Sequence, residues 1–84
     1  MGKIRFRDFL RRNGITRIQV SDFVGVSVQT VSYWVNRSDG IGRTAMAPNR
    51  VNAKKLQEFV SKYEDIDIDD FFFTDSLLIH STNV

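Results

Sequence analysis

Residues 17 to 36, RIQVSDFVGVSVQTVSYWVN, constrain the fold more than any other stretch of the chain. Val20, Val24, Val26, Val31 and Trp34 are apolar, and their spacing lets two short crossed helices share one small core. Gly25 sits where the chain must bend between them. Ser21 keeps the facing surface of the first helix small, so the second can approach closely.

The signals on either side agree. Thr16 opens the first helix of the pair: its hydroxyl can accept from a free backbone N–H, and Gln19, three residues on, can return the bond. The helix is expected to end near Val24. Ser27 is a good N-cap for the second helix, from Val28 to about Asn36. Upstream, Phe6, Phe9 and Leu10 form an apolar stripe within a helix over 4–12 that Asn13-Gly14 stops. Residues 37–48, RSDGIGRTAMAP, read as a loop because of two glycines, a Ser-Asp-Gly cluster and Pro48. A fourth helix is capped by Asn49 or Asn52, with Val51, Leu56, Phe59, Val60 and Tyr63 on its apolar face. Asp67 is a good N-cap for a short fifth helix, because acids at 67, 69 and 70 suit the positive end of a helix dipole; Phe71 and Phe72 would anchor it.

The prediction is therefore an all-α, roughly five-helix domain over 1–72, followed by a C-terminal tail over 73–84. Leu77, Leu78 and Ile79 in that tail are too short a run to choose between strand and helix. Eighty-four residues suffice for one domain with a modest core. The chain has no cysteine, which excludes disulfides and thiolate metal sites. Its N-terminus is charged throughout, with no apolar stretch of the kind a signal peptide or membrane span requires.

Charge divides along the chain. Residues 1–55 hold eleven Lys or Arg against Asp8, Asp22 and Asp39, a net of +8, while residues 56–84 hold Lys62 against seven acids, a net of −6. A basic body with an acidic end suits docking of one face on a polyanion. Two short helices about a sharp turn form the helix-turn-helix pattern, whose second helix enters the DNA major groove.

The run Gly25-Val26-Ser27-Val28-Gln29-Thr30-Val31-Ser32-Tyr33-Trp34, with Ile66-Asp67 followed by Phe71-Phe72, resembles the Cro and lambda-repressor-type helix-turn-helix family of phage and bacterial transcriptional regulators. The resemblance covers roughly residues 4–72. It implies sequence-specific binding to a double-stranded DNA operator in the cytoplasm of a bacterial cell, by a homodimer completed on DNA where it is weak when free. It implies that the outward positions early in the second helix, Val28, Gln29, Ser32 and Tyr33 with Thr30 nearby, face base edges. Gln29 can donate and accept at once, which suits adenine N6 and N7; Val28 suits a thymine methyl. Arg17 and Ser27, at the starts of the two helices, and Arg37, Arg43 and Arg50, around the loop, are the expected backbone contacts. The chain departs from the family pattern in three places. Residues 28–36 carry no Lys or Arg, the loop before the fourth helix is longer, and Phe23 stands at a position usually polar.

Other chemistry finds little support. Trp34 could stack on a base, but its spacing from Val26 and Val31 says core. His80 is the only histidine and has no partner at metal-ligand spacing; the acids at 64–70 lack the glycine and ligand spacing of an EF-hand. No catalytic arrangement or phosphate-cradling loop occurs, so an enzyme, a cofactor and a small-molecule ligand are not expected. The alternative reading is an antirepressor or modulator that keeps the fold but binds a protein. The dimer surface is expected in Phe71–Phe73 and Leu77–Ile79, and Phe23 is expected to be covered by the long loop or the tail.

Overall fold

The computed structural model describes residues 4–41 and 45–72. They form five helices: α1 (Phe6–Arg12), α2 (Arg17–Val24), α3 (Val28–Asp39), α4 (Arg50–Ser61) and α5 (Asp69–Phe72). One core joins them, in which Phe6, Phe9, Val20, Val24, Val31, Trp34, Leu56, Val60, Phe71 and Phe72 are all buried. Trp34 is 1% exposed, which settles it as a core residue.

The helix pair forms as its sequence requires. The Gln19 backbone N–H donates to Thr16 Oγ1 at 3.2 Å, and the Thr16 N–H donates to Gln19 Oε1 at 2.8 Å, a reciprocal capping box. Gly25 closes α2 with φ 87°, in the left-handed region. A Cβ there would meet nothing within 4 Å, so glycine is required by backbone conformation rather than by crowding. Ser21 is buried and donates to the Ile18 carbonyl at 2.9 Å. Ser27 then caps α3, accepting from the Thr30 N–H at 3.1 Å.

Several boundaries differ from expectation. α1 starts at Phe6 rather than at residue 4. Arg5 is its N-cap but makes no side-chain cap bond. Ser38 takes over that task from α3: its Oγ accepts from the Phe6 N–H at 2.7 Å and donates to the Ile4 carbonyl at 3.4 Å. α3 continues to Asp39, so Arg37, Ser38 and Asp39 are helical rather than loop. Ser38 is fully buried, and Asp39 Oδ2 accepts from Arg7 Nε at 2.9 Å, so packing against α1 holds the extra turn in place. Gly40, at φ 76°, ends it.

In α4 the cap is Asn49, whose side chain accepts from the Asn52 N–H at 2.8 Å. Val51 does not join the apolar face; it is 66% exposed. It precedes Leu56 by five positions, which at about 100° per residue puts it roughly 140° away from that side chain. Tyr63 lies just past the helix and is exposed on one side, with its ring edge-on to Phe9 and against Phe59. Phe71 and Phe72 are core residues packed on Phe6, which removes them from the expected dimer surface. The remainder of that surface, Phe73 and Leu77–Ile79, lies outside the described residues with the rest of the tail and His80.

Candidate nucleic-acid interface

α3 divides by its periodicity into two faces. Val31, Trp34, Val35 and Ser38 are buried against α1, α2 and α5. The opposite side carries Gln29 and Tyr33, and the same stripe reaches Asn36, seven residues beyond Gln29. Asn36 is half-buried and lies beyond the early helix positions that the resemblance assigns to base contact. The signal was present: Gln29, Tyr33 and Asn36 fall at i, i+4 and i+7.

The individual positions differ in freedom. Gln29 is exposed, and Val28 is 41% exposed at the first turn of α3. Thr30 is half-buried and shares a 3.0 Å hydrogen bond with Ser27 through the two hydroxyls, so this pair caps the helix before it can do anything else. Tyr33 is half-buried, and its carbonyl accepts from the Met46 N–H at 3.2 Å, which ties the returning loop to α3. Ser32, also half-buried, accepts from Arg17 Nη1 at 2.9 Å.

That bond changes the picture of the cations. Arg17 is the first residue of α2 and is half-buried; its side chain crosses to α3. It also borders a cleft of about 300 Å³ whose wall includes Arg7, Arg11, Leu10 and Val35. Arg7 is engaged by Asp39. Arg12 makes two 2.7 Å bonds to Glu64, and Asn13 Nδ2 adds a third at 2.7 Å. The hydrogen bonds from Arg12 and Asn13 lower the Glu64 pKa to about 2. The basic and acidic parts of the sequence are thus partly interleaved in space, and the divided charge overstates the free positive surface. Asp69 titrates above its ordinary value, first through burial and then through the charges of Asp67 and Asp70.

The other expected backbone contacts are dispersed. Ser27 is exposed at the α3 cap, and Arg50 is exposed at the first turn of α4. Arg37 sits in the last turn of α3 rather than in a loop, and its Nε donates to the Phe72 carbonyl at 3.4 Å. Arg43 lies outside the described residues. Phe23 is 37% exposed and gains cover from α4: its ring packs on Phe59 with centroids 5.1 Å apart, and Lys62 Nζ lies 4.5 Å from the ring centroid. Neither contact involves the loop or tail expected to cover it.

Among the described residues no group of three His, Cys, Asp or Glu is placed to hold a metal ion, and no helix is long and apolar enough to cross a membrane. Comparison with protein-family models, with curated proteins and with solved structures finds no match.

Proposed function

We propose that this protein is a sequence-specific double-stranded DNA-binding regulator of transcription. Its α3 would lie in the major groove of an operator in the bacterial cytoplasm. The observation that carries this reading is the disposition of α2 and α3 about Gly25. Their inner faces are buried together, while the first turns of α3 present Val28, Gln29 and Tyr33 outward with an arginine from α2 alongside. In a helix-turn-helix the second helix enters a groove about 12 Å wide with its outward residues toward the base edges. The protein acts by occupancy, and whether occupancy represses or activates depends on where the operator lies.

One α3 touches few base pairs, so a homodimer on a nearly palindromic site completes the proposal, with half-sites roughly 34 Å apart. The test is selection from random duplexes followed by titration against salt. A defined consensus, with affinity falling steeply as salt rises, is the expected result. Failure to enrich any sequence, with binding insensitive to salt, would overturn it. A second reading, a protein-binding modulator on the same scaffold, is favoured by Ile18 and Val28, large apolar side chains exposed near the starts of α2 and α3. It predicts that second outcome, with a stable protein complex that Val28→Asp abolishes.

A further inference from the structure

The recognition face proposed for α3 has a chemical gap. Residues 28–36 carry no Lys or Arg, so nothing on the outward surface of those turns can make the paired donation that best identifies guanine. Gln29 suits adenine, Val28 suits thymine, and Ser32 alone discriminates poorly.

Arg17 fills that gap from the neighbouring helix. Its Nη1 donates to Ser32 Oγ at 2.9 Å. Ser32 is three residues after Gln29 and four after Val28, so it lies beside both on α3. The guanidinium is therefore held at the edge of the base-reading face. A guanidinium carries five N–H donors in a rigid plane, and Ser32 accepts one of them. Among the described residues no carboxylate pairs with Arg17, in contrast to Arg7 and Arg12. The bond to Ser32 also restrains a long side chain before any ligand arrives, reducing the ordering cost on binding.

We propose that Arg17 is a specificity-determining residue that reads a guanine by donating to its O6 and N7, with Ser32 positioning the guanidinium. This rests on the major-groove reading above and replaces the expected role of Arg17 as a contact to the DNA backbone. The two roles are separable because 7-deazaguanine lacks the N7 acceptor but leaves pairing and phosphates intact.

The experiment begins with the consensus selected by the unaltered protein. Each guanine of a half-site is replaced in turn by 7-deazaguanine, and affinity is measured for the wild type, Arg17→Ala, Arg17→Lys and Ser32→Ala, each first shown to melt as a folded protein. At one guanine the substitution should weaken the wild type about 5- to 100-fold. Arg17→Ala should bind the normal duplex more weakly by a similar factor and be indifferent to 7-deazaguanine there. Arg17→Lys should keep the salt slope of the wild type but lose most of the guanine preference, since an ammonium lacks the planar fork. Ser32→Ala should show a smaller loss at that same base. The assignment is overturned if the wild type selects a consensus and Arg17→Ala retains its full sensitivity to 7-deazaguanine at every position. It is equally overturned if Arg17→Ala weakens all duplexes alike and lowers the salt slope by about 1, the mark of a phosphate contact. If the wild type selects no consensus, the operator reading fails and this assignment fails with it.

Discussion

Gln29 and Ser38 lie on the same helix and are expected to behave in opposite ways. Gln29 is exposed, so Gln29→Ala should leave the melting temperature almost unchanged. On the cognate operator it should cost about 1–3 kcal/mol and relax the preference at one base pair, expected to be A·T. Equal weakening on every duplex would remove Gln29 from base reading. Ser38 is fully buried and satisfies the first N–H of α1, which has no local cap. Ser38→Ala strands that N–H away from water and should cost roughly 1–3 kcal/mol of stability in a denaturant titration. An unchanged midpoint would mean that water or a shifted backbone replaces the hydroxyl.

Individual helices of this protein are short, and four to twelve residues are not stable alone in water. They persist because each buries a stripe against its neighbours. Trp34 lies in the buried stripe of α3, and Trp34→Ala should cost roughly 3–5 kcal/mol, enough to unfold much of a marginal domain. A variant with native melting behaviour but no DNA binding would contradict the burial of this side chain. The end of α1 is joined to the segment after α4 through Arg12, Asn13 and Glu64. Because the folded Glu64 pKa is depressed to about 2, its contribution is complete above the ordinary carboxylate value of 4.5 and fades as pH falls towards 2. Thermal melts of the wild type and Glu64→Gln should therefore differ at neutral pH and converge in acid, the residual gap closing as Glu64 protonates. A gap independent of pH would show that the carboxylate charge is not what stabilises the contact. The site is open to solvent and salt should narrow the difference.

For the molecule as a whole, assembly is the quantity to measure. Burial of Phe71 and Phe72 in the monomer core leaves Phe73 and Leu77–Ile79 as the apolar residues of the expected dimer surface. Truncation after Thr74 is expected to lower cooperativity on a full operator while leaving the melting of the monomer close to that of the intact protein. Sedimentation and operator titration check this together. Undiminished dimerisation and cooperativity in the truncated protein would place the interface on the folded domain. The free protein's charge also matters to association: Arg12 and Arg7 are engaged by Glu64 and Asp39, so neither is a free cation. The measured salt slope should thus be smaller than the eleven basic residues of the first 55 positions imply.

What the sequence alone determined were the features governed by neighbours in the chain. The Thr16–Gln19 box, the bend at Gly25, the cap at Ser27, a cap at Asn49 or Asn52, and the burial of Trp34 all follow from spacing within one or two turns. Helix periodicity also decided which side of the first turns of α3 faces outward. Only tertiary structure decided the rest, because the partners are distant in sequence. Arg37, Ser38 and Asp39 read as loop beside Gly40, yet α1 supplies Phe6 and Arg7 to hold them helical, contacts across 32 residues for which local propensity has no representation. Phe23 found Phe59 and Lys62, and Phe71 and Phe72 found Phe6, so side chains that looked surplus became core or cover. Arg17 looked like an outward cation at a helix start. A side chain long enough to cross between helices takes its direction from the acceptor it meets, and here that acceptor is Ser32, fifteen residues away.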